Sequence, residues 1–364
     1  MEDLVKSSKI DHHFWKGKRV LVTGHSGFKG GWLSIWLHRM GAKVFGVSLP
    51  PAIDPNLFKQ AQVEDFCAHS FMCDICDFDG VASLVRDIDP EVVFHLAAQS
   101  LVRTSYIEPL STFNTNVLGS LNLLESLREV SSIKVVLMIT TDKVYKELEL
   151  PRPFVEDDIL GGHDPYSASK ACSETAINAY RDSFLRSQGI ALATARSGNV
   201  IGGGDWAKDR LIPDAIRAWG SGDKLIIRNP EAIRPWQHVL EPLAGYLTLA
   251  QCLWSDPRLE GAYNFGPNKQ NPSSVRHVVQ IICDQLDDLA VTFSNPEEDM
   301  FESAYLSLDT EKARRLLAFS SEWNIHESIA KTLMWYERWS AGVDAASLCQ
   351  NDISSYENGI RRTS

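Results

Sequence analysis

The chain has 364 residues and a net charge of −11, long enough for one large α/β unit or two smaller domains. It is too acidic overall for the basic face that a nucleic-acid partner requires, although a local basic pocket for a small anion is compatible with that balance. No run of eighteen apolar residues occurs, so no membrane span is expected. The opening MEDLVKSSKIDHHFW lacks the apolar core of a signal segment, which points to the cytoplasm. There the seven cysteines would be free thiols. Cys73 and Cys76 form an isolated C-x-x-C. With no second pair at zinc spacing it reads as small residues near a strand end, and no metal site is expected.

In chain order, RVLVT (19–23) is an apolar run of the kind found in a strand buried on both faces. GWLSIWLHRMG follows with Trp32, Leu33, Trp36, Leu37 and Met40 at helical spacing, ended by Gly41. KVFGVSL (43–49) and FMCDI (71–75) read as the second and third strands, GVASLVRDI (80–88) as a helix and EVVFHLAA (91–98) as the fourth strand. A long helix is expected over 109–129, a fifth strand over 133–141, a helix over 164–184 and a sixth strand over 190–200. Alternation of strands and helices predicts a doubly wound α/β fold around a parallel sheet. After Ile201 the pattern loosens into Gly-, Pro-, Trp- and Arg-rich stretches. The expected organisation is a dinucleotide-binding domain over 14–200 plus about 233–258, and a smaller, irregular α/β C-terminal substrate domain over 201–232 plus about 259–340. A tail over 341–364, rich in Ser and Asn, is expected to be partly disordered.

The stretch GHSGFKGG joins the first strand to the first helix and carries Gly24, Gly27 and Gly30 in G-x-x-G-x-x-G spacing. Glycine there lets a ligand approach the main chain, and the helix N-terminus attracts a phosphate. At the first strand–helix junction of repeated βα units, that pattern predicts a Rossmann-type site for a dinucleotide, with Ser26 and Phe28 in the same turn. The second strand ends in Ser48 rather than an acid, so NAD and NADP are not distinguished there. Asp74 and Ile75, after the third strand, are candidate adenine contacts; a turn-capping Asp74 is the alternative.

PYSASK places Tyr166 and Lys170 four apart at a helix start, on one face. An ammonium beside a phenol favours the phenolate and would bring Tyr166 toward acid/base work near neutral pH. Thr140, Thr141, Asp142 and Lys143 end the fifth strand, where ligands bind in open α/β sheets.

Together the glycine pattern, HLAAQ, ITTDKVY and the Y-x-x-x-K pair resemble the extended short-chain dehydrogenase/reductase superfamily. Over GHSGFKGGWL, HLAAQSLVRTSY, GNVIGGGDWAKDRLIPD and IRPWQHVLEP, roughly residues 14 to 340, the chain is similar to its nucleotide-sugar 4,6-dehydratases, and most so to the group acting on CDP-glucose. The resemblance implies a lyase with NAD as cofactor and CDP-glucose as substrate, yielding CDP-4-keto-6-deoxyglucose and water. The resemblance further implies a place in the biosynthesis of a deoxysugar of a surface polysaccharide. Tyr166 would take the 4-hydroxyl proton, Thr141 would hold the 4-oxygen and Asp142 would protonate the departing C6 hydroxyl. Lys170 would hold the nicotinamide ribose, with Ala97, Ala98 and Gln99 beside the cofactor.

The dTDP-glucose enzymes carry Asp-Glu where this chain has Asp142-Lys143, so the C5 base is left open between Lys143 and Tyr166. Asn199, Arg210 and Arg234 resemble nucleotide-diphosphate contacts, and guanidinium suits that task. Arg103 is expected to face the cofactor or sugar. Trp206 and Trp236 read equally as packing or as stacking groups, and His95 and His238 as structural. The helices 109–129 and 166–186 are expected to pair across a two-fold, giving a homodimer or homotetramer. A 4-epimerase or dehydrogenase of another nucleotide sugar is the alternative activity.

Overall fold

The computed structural model describes residues 10–148, 152–267, 273–294 and 303–363. Its centre is a parallel sheet of seven strands. Six are the expected ones: β1 (Arg19–Thr23), β2 (Lys43–Ser48), β3 (His69–Met72), β4 (Val92–His95), β5 (Val135–Ile139) and β6 (Ala191–Ser197). The seventh, Gly261–Phe265, pairs in parallel with β6 at one edge. The order across the sheet is Gly261–Phe265, β6, β5, β4, β1, β2, β3. The winding reverses between β1 and β4, where Thr23 pairs with His95. Such a switch point is where open α/β sheets bind ligands.

Successive residues of a strand face opposite sides. In β1, Val20 and Val22 enter one core with Trp32, Trp36 and Leu243, while Leu21 enters another with Val85, Leu123 and Leu192. Burial on both faces is why these strands are unbroken apolar runs.

Three segments differ from expectation. The third strand ends at Met72, leaving Asp74 to a turn in which its Oδ1 accepts the Cys76 N–H at 2.9 Å. The long helix over 109–129 is Pro109–Phe113 and Ser120–Leu127 joined by the π-helical turn Asn114–Gly119. That wide turn buries Asn116, whose Nδ2 donates to Gln99 O at 3.0 Å and to Ser169 Oγ at 2.9 Å. The tail is the helix Ala345–Thr363. Leu348, Cys349, Ile353 and Tyr356 are buried at helical spacing, a stripe that the polar composition hid. Glu357 on this helix accepts from Trp36 Nε1 at 2.8 Å, pinning it to the helix that follows the glycine turn.

Beyond Ile201 the chain makes short strand pairs: Val200–Ile201 with Gln237–His238, Leu225–Ile227 with Val291–Phe293, and Ile233–Arg234 with Ser273–Ser274. Helices Leu211–Ser221, Val275–Cys283 and Ile325–Ser340 cover them. Gly261–Phe265 lies in the main sheet, although the sequence reading put residues from 259 onward with the substrate region.

Candidate active site at the strand ends

The glycine turn is shaped by close approach. Gly24 has φ +76, and a Cβ there would lie 2.6 Å from Ala97 N. A Cβ on Gly30 would lie 2.1 Å from Gly24 O. Gly27 caps the helix Phe28–Arg39 with no side-chain acceptor, so N–H groups of the first turn face outward to an anion. This cradle, made of main chain and closed by Ala97, fits a dinucleotide pyrophosphate. Ser26 Oγ donates to Leu49 O at 2.8 Å, and half-buried Phe28 packs at Gly202. Ser48 lies 3.0 Å from His25 Nδ1, and His25 Nε2 lies 2.7 Å from Ser70 Oγ. Burial lowers the His25 pKa to about 4, so this inward-facing set is neutral.

Among the other cofactor candidates, Ile75 is buried and Asp74 exposed, and Ala97 and Ala98 are half-buried beyond β4. The Gln99 side chain is committed to the protein, donating to Leu101 O at 3.1 Å and to Thr112 Oγ1 on the helix Pro109–Phe113 at 2.9 Å.

The helix Pro165–Tyr180 starts on Asp164, whose carboxylate accepts the Ser167 N–H at 3.0 Å. This start presents Tyr166 and Lys170, both buried, to the end of β5. The Tyr166 phenol faces Thr141, and Thr141 Oγ1 donates to Asp142 Oδ1 at 3.0 Å. Asp142 is buried, and its Oδ2 has no hydrogen-bond partner. A desolvated carboxylate oxygen left in this way is a strong acceptor or proton donor for a polar ligand. Lys143, next along, is half-buried.

The charges do not follow the simple Tyr–Lys expectation. Burial pushes the Tyr166 phenol up to about 12; the Thr141 hydroxyl and the Arg210 charge pull the other way, while Asp142 and Asp164 add to the rise. Desolvation outweighs any neighbouring cation here. Lys170 is lowered to about 8 by burial, with the Glu174 charge opposing the fall.

Sequence reasoning assigned no role in the site to two of its residues, and one of them is a cation. Lys29 donates from Nζ to Ser197 Oγ at 3.1 Å, and Tyr246 OH donates to the same oxygen at 2.9 Å. Burial, then Arg210 and Lys170, lower the Lys29 pKa to about 8, and Asp142 opposes. Its helical spacing to buried Leu33 and Trp36 is a signal that it faces inward. Gly198 is the other: a Cβ there would meet Pro235 Cγ at 2.2 Å and Asp142 Oδ2 at 3.0 Å.

Of the substrate candidates, Arg210 pairs with Asp205 at 2.8 Å and lies close enough to Tyr166 and Lys29 to act on both. Arg103 and Arg228 both approach Asp209, at 3.5 and 3.3 Å. Buried Arg234 donates to Ile233 O at 2.9 Å, and Asn199 O accepts the Gln237 N–H at 3.0 Å. Trp206 packs edge-on to Tyr336 and Trp339 with its Nε1 on Gln60, and Trp236 is buried in the main core. His95 lies between Thr23 Oγ1 (2.7 Å) and Ser120 Oγ (3.0 Å), and burial lowers its pKa to about 3. His238 is held between Trp32 and Trp323. All seven cysteines are free. Among the described residues no group of three or more His, Cys, Asp or Glu could hold a metal ion.

The family model "GDP-mannose 4,6 dehydratase" matches residues 21–332. A CDP-glucose 4,6-dehydratase of Salmonella typhimurium is 43% identical over 359 residues, covering 97% of this chain and 100% of the relative. A dTDP-glucose 4,6-dehydratase of Haemophilus influenzae is 29% identical, covering 87% of this chain and 97% of the relative. Among solved structures, a dTDP-glucose 4,6-dehydratase from Streptomyces venezuelae with NAD and TYD bound superposes with a TM-score of 0.77 at 23% identity, covering 90% of this chain and 99% of that one. A UDP-glucose 4-epimerase from Thermotoga maritima gives 0.76 at 22%, covering 88% and 99%. At that identity the two structures speak for the fold alone. The resemblance read from the motifs is borne out by the family match and the Salmonella relative: the chain belongs to the GDP-mannose 4,6-dehydratase family.

Proposed function

We propose that the protein is an NAD-dependent lyase that converts CDP-glucose to CDP-4-keto-6-deoxyglucose and water. The CDP-glucose assignment is supported by the Salmonella relative, whose name states that substrate. Dehydration rather than 4-epimerisation is supported by one observation above others, the buried and unpartnered Asp142 Oδ2 beside the Tyr166–Thr141 pair. An epimerase moves no group at C6 and has no use for an acid there.

The glycine cradle and Lys170 would hold NAD, which when bound accepts a hydride from C4 and later gives one to C6. Tyr166 takes the 4-hydroxyl proton as C4–H is lost, and Thr141 holds the 4-oxygen. The 4-ketone then acidifies C5–H, which is removed by Lys143, or by Tyr166 after it has passed on the 4-hydroxyl proton. Asp142 gives its proton to the C6 hydroxyl, which leaves as water, and the group that removed the C5 proton returns one to C5, which with the hydride at C6 completes the 6-deoxy sugar. Burial strengthens each of these contacts by excluding solvent. Arg210, Arg234 and Asn199 would hold the nucleotide diphosphate, and Arg103 would face the cofactor or sugar.

No helix among the described residues is long and apolar enough to cross a membrane, and we propose a cytoplasmic enzyme. Ile107, Leu110 and Leu118 are 79%, 85% and 53% exposed along the 102–127 helices. That apolar face supports a homodimer through those helices.

The test is purified protein with NAD and, separately, CDP-, dTDP-, GDP- and UDP-glucose, read by alkaline absorbance of a 4-keto-6-deoxy sugar and by loss of one water in mass. Product from CDP-glucose alone is expected. Product from another sugar nucleotide sinks the CDP assignment, and an epimer with its water retained sinks the lyase.

A further inference from the structure

Behind the site lies a buried charge pair that none of the steps above uses. Glu174 sits one turn past Lys170 on the same helix and is fully buried. Its Oε1 accepts from Thr140 Oγ1 at 2.6 Å and from Arg196 Nε at 2.9 Å. Its Oε2 accepts from Thr194 Oγ1 and Arg196 Nη2, both at 2.9 Å. Arg196 is buried too, and its Nη1 donates to Tyr145 OH and to Glu156 O, both at 2.9 Å. Tyr145 OH in turn donates to Asn264 Oδ1 at 2.6 Å on the edge strand.

Each carboxylate oxygen of Glu174 and each guanidinium nitrogen of Arg196 has a partner, which offsets much of the usual penalty of a buried ion pair. Its anchor points bracket the reacting groups. Thr140 precedes Thr141, and Tyr145 closes the short turn Asp142–Val144. In extended chain, adjacent side chains face opposite ways. Fastening Thr140 to Glu174 therefore fixes the rotation of the chain at Thr141, whose Oγ1 donates to Asp142 Oδ1 at 3.0 Å. Fastening Tyr145 to Arg196 holds the far end of the turn that carries Asp142 and Lys143.

We propose that Glu174 and Arg196 are positioning residues for the reaction, clamping the Thr141–Asp142 turn and the catalytic helix into one geometry while Glu174 faces Lys170. Two hydrogen bonds from Arg196 and two from threonines leave Glu174 ionised beside the cationic lysine without binding it. The charged or titratable groups around Lys170 are Tyr166 and Glu174 on its own helix, His95 from β4 and Lys29 from the helix after the glycine turn. Of these Glu174 is the one whose charge favours the ammonium. A Lys170 kept charged can hold a ribose hydroxyl and steady a phenolate.

The proposal rests on the dehydratase reading, and the experiment separates the two. T140V removes one anchor without unpairing the ions, and T140S restores its hydroxyl. E174Q removes the charge. For T140V, kcat falls about tenfold at unchanged KM, as expected for misplacement rather than lost binding, and T140S recovers it. For E174Q, the Lys170 titration, followed by NMR of lysine labelled at the ε-carbon, moves to lower pH than in the parent protein, and the alkaline limb of kcat moves with it. E174Q can unfold because it strands Arg196; E174Q/R196M then carries the same measurement. Parental kcat in T140V, a kcat loss that T140S does not rescue, or an unmoved Lys170 titration overturns the inference. Should the parent turn over no sugar nucleotide, the dehydratase reading fails, and the Lys170 titration still decides whether Glu174 acts on that lysine.

Discussion

The two ends of the ligand crevice are built from different materials. At the β1 end the surface offered is main chain: Gly24 and Gly30 admit no Cβ, and Gly27 leaves the helix N-terminus bare. At the β5–β6 end the surface is side chain and charged, with Asp142, Tyr166, Lys170 and Lys29 desolvated together. A main-chain site binds a phosphate common to many ligands and tolerates little change in shape. A side-chain site sets the chemistry, and its shape can survive a change that abolishes the reaction.

The sharpest break between the ends is Y166F, which removes one hydroxyl. Turnover should fall by about 10³, while NAD binding, followed by quenching of intrinsic fluorescence, stays near the parent value. Loss of both together would show that the ends are not separable. D142N should cost about 10² in product formation and leave the transient absorbance of reduced cofactor intact, since the acid acts after C4 oxidation. A variant that turns over like the parent removes Asp142 from the mechanism and points back to an epimerase.

G30A is the mirror experiment. Its Cβ would press on Gly24 O, which neither backbone can yield cheaply. It should cost about 1–3 kcal/mol of stability and weaken NAD binding. In whatever fraction retains cofactor, the rate of the chemical step should be unchanged. A parent-like melting curve and affinity would mean that the turn is looser than its contacts require.

The smallest effect lies beneath both ends. Burial lowers His95 and His238 to about 3 and His25 to about 4, against 6.5. Below 6.5 the unfolded chain binds more protons, so their contribution is complete above 6.5 and is lost as pH falls toward those values. Glu241, raised by burial to about 7 from 4.5, runs the other way. Its contribution is complete below 4.5 and is lost as pH rises through 7. Asp352, raised by burial to about 6 from 3.8, acts in the same direction as Glu241, so near pH 5.5 these five groups together should take up about one proton on unfolding, a slope of about 1.4 kcal/mol per pH unit. Denaturant unfolding at several pH values reads that slope, and a flat profile between pH 5 and 6.5 would show that the buried imidazoles are relieved elsewhere.

What the sequence by itself determined is what short-range physics controls. Apolar runs of strand length marked six strands of the sheet, and three glycines at one junction marked the cradle. Four-residue spacing put Tyr166 and Lys170 on one helix face. Periodicity and backbone sterics act within a few residues, so they leave a local trace. The tertiary structure decided the rest, because partners came from far along the chain. Lys29 reaches Ser197, 168 residues away, and Glu174 gathers Thr140, Thr194 and Arg196 from two strands. The edge strand Gly261–Phe265 joins the sheet only beside β6, and the polar tail is a helix because its buried stripe packs on the helix after the glycine turn. Whether Tyr166 is raised or lowered was likewise undecidable from spacing, since desolvation is a property of the assembled surroundings and not of the residue four places away.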